Sequence, residues 1–251
     1  MKKTLLLAAI ALVLGSSTGA ANGLVTTWQS CPEQTDAAKA VTFDCDPASG
    51  SSYDLIGTFS LSHAVAGIIS IDGIVDLRFE GQTSVPAFWQ LPPIGCNQSG
   101  LALIDIEPAS CTAYASPFCA AGGACDALIT GYAVDYKGPG TGRMLFTIAR
   151  SSANPTSLAQ EPAKYFGFDL RFNMDNAGFC AGCNTPTTIV WNTAVLYAAS
   201  AGTGMEVAAA ILTSADALSD PCVNANGGTS TGCATTPTRR STWGSLKSLY
   251  R

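Results

Sequence analysis

Residues 164–174 read Lys-Tyr-Phe-Gly-Phe-Asp-Leu-Arg-Phe-Asn-Met. Phe166, Phe168, Leu170 and Phe172 alternate with Tyr165, Gly167, Asp169, Arg171 and Asn173. A period of two puts alternate side chains on opposite faces of a strand, so this segment predicts one buried and one wet face. The stretch 71–80 repeats the pattern, with Ile71, Val75, Leu77 and Phe79 inward and Asp72, Asp76, Arg78 and Glu80 outward. Further strands are expected over 24–29, 53–61, 101–107, 131–137, 143–150 and 188–197, separated by Gly, Pro, Asn and Ser clusters. The Ala-rich stretch 205–218 reads as a strand followed by a loop. Short strands at this spacing predict an all-β protein, an antiparallel β-sandwich of jelly-roll-like type; a closed barrel is the alternative.

The start of the chain points to export. Lys2 and Lys3 precede an apolar run from Leu5 to Leu14, and small residues follow from Gly15 to Ala21. This is the plan of a signal peptide over 1–21, and about ten apolar residues are too few to span a bilayer. No later stretch reads as a transmembrane segment. The expected location is secreted or cell-surface, with the periplasm also open.

The ten cysteines all follow that segment: Cys31, Cys45, Cys96, Cys111, Cys119, Cys125, Cys180, Cys183, Cys222 and Cys233. In an oxidising compartment an even set reads as a disulfide framework. Proximity along the chain suggests local staples, 31–45, 96–111, 119–125, 180–183 and 222–233. Cys180-Ala-Gly-Cys183 is a CxxC, but it lies between two strand patterns and runs into Asn184-Thr185-Pro186. A redox CxxC usually opens a helix, and a zinc site needs a second pair of ligands. A disulfide closing a turn is therefore expected.

No catalytic residue and no metal ligand is assigned. His63 is the only histidine, and no Gly-x-Ser-x-Gly elbow accompanies it. The carboxylates Asp72, Asp76 and Glu80, and Asp105 and Glu107, lie on outward strand faces; a hydrolase pair would need a cleft between two of them. Asp135 before Gly138-Pro139-Gly140, and Asp175-Asn176, occupy turns that could offer oxygens to calcium, without a complete loop motif. No cofactor is implied otherwise. Phe88-Trp89, ahead of Gln90-Leu91-Pro92-Pro93, offers a ring that could stack on a sugar or other ligand; the alternative is that Trp89 plugs one end of the core.

Charge divides the chain. Between Glu33 and Asp220 lie 18 acidic and seven basic residues, a net −11. Residues 239–251 carry Arg239, Arg240, Lys247 and Arg251 and no acid. An acidic body argues against nucleic acid as a partner. The organisation read here is a signal peptide (1–21), a β-sandwich domain (22–222), a Gly/Ser/Thr/Asn-rich flexible linker (223–238) and a basic amphipathic tail (239–251). In the tail Trp243, Leu246, Leu249 and Tyr250 recur at helical spacing, with Lys247 and Arg251 among them. Such a segment is too short to hold a helix alone and calls for a surface to dock on.

Three pieces carry a resemblance: Val41-Thr42-Phe43-Asp44-Cys45; Cys180-Ala-Gly-Cys183 with Pro186 and the strand Ile189-Val190-Trp191-Asn192; and Thr242-Trp243-Gly244-Ser245-Leu246-Lys247-Ser248-Leu249-Tyr250-Arg251. With them the chain resembles a group of uncharacterised exported proteins of environmental bacteria. That resemblance implies no activity and marks the tail as a module. The expectation is a non-enzymatic surface or extracellular assembly module that meets a protein partner, or itself, through the tail. The alternatives are a carbohydrate- or ligand-binding module centred on Trp89 and Phe88, and a secreted carboxylate-based hydrolase.

Overall fold

The computed structural model describes residues 21–92, 95–104, 108–119, 125–200 and 206–229. Residues 1–20 of the expected signal peptide and the tail residues Trp243, Leu246, Lys247, Leu249, Tyr250 and Arg251 lie outside the described residues. The strands are β1 (Ala21–Trp28), β2 (Ala40–Val41), β3 (Ser52–Leu61), β4 (Val65–Phe79), β5 (Leu101–Ile104), β6 (Cys125–Val134), β7 (Thr141–Arg150), β8 (Thr156–Leu158), β9 (Lys164–Asn173), β10 (Thr187–Ala199), β11 (Glu206–Thr213) and β12 (Cys222–Ala225). One sheet has the order β1-β3-β9-β5. The larger sheet runs β2-β12-β10-β4-β7-β6, with β11 on β10 and β8 on β4. All pairings within the sheets are antiparallel except β12 with β2. The architecture is the β-sandwich that the alternation predicts.

Between the sheets lies an aromatic core. Phe168 meets Phe146 and Trp191 edge-on, each at 4.8 Å between ring centroids. Phe43, Trp89, Phe172 and Trp28 form a second group at 5.6–6.0 Å. Two glycines make room for these rings. A Cβ on Gly57 would sit 2.2 Å from the Phe168 ring, and one on Gly73 would sit 2.0 Å from Phe146. Glycine in a strand interior often marks such a close approach.

The alternation in β9 is interrupted. Thr58 pairs with Phe166 and Gly57 with Phe168, so Gly167 is an extra residue, a β-bulge. The bulge shifts the parity. Tyr165 packs with Phe168, Leu170 and Phe172 in the main core, whereas Phe166 turns to the opposite face. There it is buried with Ile56, Tyr114, Cys31 and Cys111. The face expected to be wet is thus partly roofed by a disulfide.

Disulfide connectivity corrects the expectation of local staples. The bridges are Cys31–Cys111, Cys45–Cys183 and Cys96–Cys180, spanning 80, 138 and 84 residues. Of these four bridges between described residues, Cys119–Cys125 alone follows chain proximity. Cys222 is also disulfide-bonded; its expected partner Cys233 lies outside the described residues. The reason is topological. A sandwich brings loops from distant strands together at its ends, and the two sulfurs of the 180–183 turn face different incoming loops. On the chain-entropy account each long bridge stabilises the fold by roughly 4–5 kcal/mol.

Two boundaries also move. The strand expected over 131–137 lies at 125–134, because Asp135, at φ 52°, starts the turn into β7. Residues 223–225, expected in the linker, belong to β12, which pairs with both β10 and β2. Asn226 then accepts from Phe43 N at 2.8 Å and donates to the Cys183 carbonyl at 2.7 Å. Gly/Asn/Thr composition resembles a linker even though Asn224, Asn226 and Thr229 are each hydrogen-bonded to the sandwich.

Replacing Gly73 by alanine forces a methyl into the Phe146 ring. Overpacking of this kind costs about 1–3 kcal/mol. The expected result is a lower urea midpoint for Gly73→Ala with an unchanged m-value, restored in part by Gly73→Ala/Phe146→Leu.

Candidate functional site

For Phe88 and Trp89 the sequence leaves two roles open, a ring that meets a ligand and a plug at one end of the core. Both are fully buried. Phe43 stacks on Trp89 at 5.6 Å, Phe79 and Phe172 lie against it at 5.4 and 5.8 Å, and its Nε1 donates to the Gly182 carbonyl at 3.1 Å. The ring faces that would take a sugar are occupied. Trp89 instead plugs the end of the core and keys it to the 180–183 turn, where Phe88 N also donates to the Ala181 carbonyl. Cys180 and Cys183 are buried in their long-range bridges.

The turn carboxylates and amides hold turns. Asp135 Oδ1 accepts from Gly140 N at 2.8 Å. Asn176 Nδ2 donates to Asn97 Oδ1 and Ser99 Oγ. His63 is exposed beside Ser62. Asp105 and Glu107 lie outside the described residues. Among the described residues no cluster of three or more His, Cys, Asp or Glu side chains is placed to hold a metal ion.

The sequence-marked residues that the structure does bring together lie on the outer face of the large sheet. Asp72 and Asp76 project there from β4. Arg143 of β7 grips Asp76 with two bonds, Nε to Oδ1 at 2.6 Å and an Nη to Oδ2 at 2.8 Å. Asn192 Nδ2 donates to the same Oδ2 at 2.5 Å, and Lys137 Nζ stands 3.4 Å away. The Arg143 guanidinium also lies 3.8 Å from the centre of the Tyr136 ring. Asn192 reaches this cluster because it is the bulged residue between Trp191 and Thr193. Beside the cluster is a groove of about 280 Å³ whose walls include Arg78, Tyr136, Thr188 and Val190. A second groove of about 300 Å³ continues past Glu80, Gln82 and Thr229.

Toward the other end of this face, Thr147 Oγ1 donates to Asp72 Oδ1 at 2.5 Å. The Tyr197 phenol also bonds Asp72; burial pushes its pKa well up, and the charges of Asp72 and Glu206 push it further. Register places Leu128, Thr147, Asp72, Val195 and Ile211 in one row across five strands. Leu128 and Ile211 are 62% and 55% exposed. In the next row Leu145 and Ile74 form a buried apolar floor. Asp126 pairs with Ala149 one row further out and is exposed. The sequence reading found Asp72 and Asp76 but missed Leu128 and Ile211, because neither sits in a clean alternation.

The small sheet carries a different polar feature. Arg171 bonds Asp54 through Nε at 2.7 Å, and Asp169 lies beneath it, 1% exposed, with its Oδ2 4.0 Å from the Arg171 guanidinium. Among the described residues Asp169 Oδ1 has no hydrogen-bond partner. Burial raises the Asp169 pKa to about 7, the Asp54 charge raises it, and Arg171 counteracts.

Two measurements follow from these clusters. Arg143→Leu strips a half-hidden carboxylate of its main partner and is expected to destabilise the fold by about 3–5 kcal/mol. Arg171→Leu breaks a more exposed pair and is expected to cost no more than about 1 kcal/mol; denaturant titration compares them. Asp169 binds its proton more tightly folded than unfolded. Its contribution is therefore fully present below about pH 4 and is lost as pH rises to about 7, on the order of a few kcal/mol. Asp169→Asn is expected to flatten the stability profile between pH 4 and 7.

No family model matches the chain, and no curated protein matches it. Solved structures similar to it include the second type II cohesin module from the cellulosomal adaptor ScaA scaffoldin of Acetivibrio cellulolyticus, at 8% identity and a TM-score of 0.31, covering 75% of this chain and 90% of that one. Another is the cohesin module from the family 33 glycoside hydrolase of Clostridium perfringens ATCC13124, at 11% identity and a TM-score of 0.30, covering 83% and 98%. Likeness at this level carries no functional assignment.

Proposed function

We propose that the chain is an exported, non-enzymatic interaction module that assembles through its basic aromatic segment, residues 239–251, on the acidic body of a neighbouring copy. The observation that carries this reading is the segregation of charge and apolar character. The body from Glu33 to Asp220 is net −11, whereas residues 239–251 hold four cations, no acid and the series Trp243, Leu246, Leu249 and Tyr250. Opposite charge steers such an encounter, and the apolar side chains supply the contact area. Four long-range or local disulfides among the described residues suit a module that works in an oxidising space outside the cytosol.

The test is deletion of residues 241–251 from the full chain. The sandwich is expected to stay folded, as judged by its near-ultraviolet circular dichroism. Self-association, read as molar mass by light scattering, and retention at the cell surface, read by fractionation, are expected to be lost. Unchanged mass and location after the deletion would end this reading.

A further inference from the structure

We infer that the receiving surface for residues 241–251 is the outer face of the large sheet, along the row Leu128–Thr147–Asp72–Val195–Ile211, and that in the dilute chain each molecule's own segment occupies it. This rests on the assembly reading above and names the site it uses.

The first ground is where the chain goes. Thr188 points to the outer face of β10, since its neighbour Ile189 is in the core. Thr188 is nevertheless only 1% exposed. Its Oγ1 donates to the Thr229 carbonyl at 3.1 Å, and Thr229 Oγ1 donates to Glu80 at 2.9 Å. The chain at residue 229 therefore lies over this face, at the grooves beside Asp76. From Thr188 to Val195 is seven residues of strand, about 23 Å. With Cys233 on Cys222, as the sequence leads one to expect, the free connection is residues 234–240, which span at most about 25 Å from a point opposite Val190, five residues from Val195. The row is within reach of the segment of the same molecule.

The second ground is fit. Five strands place Leu128 and Ile211 about 19 Å apart. Eleven residues wound as a helix are about 16 Å long. A helix over 241–251 laid across the strands would cover the row, with Trp243, Leu246, Leu249 and Tyr250 on Leu128, Val195 and Ile211. Both exposed ends of the row are large aliphatic side chains of the kind that such a face buries.

The third ground is charge. Asp72 lies in the middle of the row, bonded by hydroxyls of Thr147 and Tyr197. Asp126 and Glu206 stand nearby, the former exposed beside Leu128 and the latter close enough to raise the Tyr197 pKa. Lys247, Arg251 and the Arg239-Arg240 pair match these acids in sign.

Tethering decides between own and foreign segments. A short flexible connection holds a segment at an effective concentration in the millimolar range when its length matches the span. Below that concentration the molecule's own segment wins. Assembly is then an exchange of segments between copies across one repeated contact, and it sets in as the chain is concentrated or retained on a surface.

The test uses the full chain with p-benzoylphenylalanine in place of Trp243, irradiated at micromolar concentration. The expected product is a monomer-sized species in which residue 243 is linked to peptides holding Leu128 or Ile211. Leu128→Asp/Ile211→Asp, whose exposed positions leave the core untouched, is expected to lower the yield at least about tenfold. Added salt is expected to lower it as well. Links to the small sheet, or to these peptides only in dimer-sized species, overturn the inference while the assembly reading stands. If deletion of 241–251 leaves mass and location unchanged, the assembly reading fails first, and the cross-link pattern then separates the two.

Discussion

Everything at one end of the sandwich hangs on a four-residue turn. Cys180-Ala-Gly-Cys183 sends one sulfur to Cys96 and the other to Cys45, so that loops from two remote parts of the chain are bolted to a single point. Carbonyls of the turn also accept hydrogen bonds from Phe88 N and the Trp89 indole, both in the short helical turn 87–89. Asn226 closes the assembly by bridging Phe43 and Cys183. With that end fixed, the rings of Trp89, Phe43 and Phe172 have one arrangement, and the two sheets have one separation. A CxxC usually invites a redox reading; here each cysteine is committed to a separate structural bond, and the pair acts as a bracket.

Much of this fold was legible in the sequence, and the failures have physical causes. Alternation in 164–174 and 71–80 located β9 and the second half of β4 because each has a polar face. The first half, Val65 to Ile71, lacks that contrast: it is almost wholly apolar and buried, so period two is invisible in it. The bulge at Gly167 hid in plain view, since an inserted residue keeps the pattern of letters while exchanging the faces. Disulfide pairing was illegible because it depends on which strand ends share a corner, and that is a property of topology. Beside a Pro-rich loop the letters leave Trp89 either open to a ligand or plugging the core; the rings of Phe43, Phe79 and Phe172 around it make it the plug.

The outer face of the large sheet obeys a different logic from the core. Its polar groups are not scattered; Asp76, Arg143, Asn192 and Lys137 form one satisfied knot, and Asp72, Thr147 and Tyr197 form another. Between them Ile74 and Leu145 are buried. Such a surface is rigid and already desolvated in part, which lowers what any partner must give up on binding. Asp72 and Asp76, the outward carboxylates that the alternation in β4 marks, each sit at the centre of one of these knots.

The bracket at 180–183 has a bearing on how the chain matures. Loop closure is easiest for the shortest loops, so in an unfolded chain Cys180 meets Cys183, and Cys96 meets Cys111, far more often than their native partners, which are 80 to 138 residues away. Early oxidation thus traps local rings that the finished sandwich does not contain. The native bonds become the preferred ones only after β9 and β10 have docked and brought the turn to its corner. A thiol–disulfide exchange step, in which misplaced bridges are opened and re-formed, then leads from such rings to the native set.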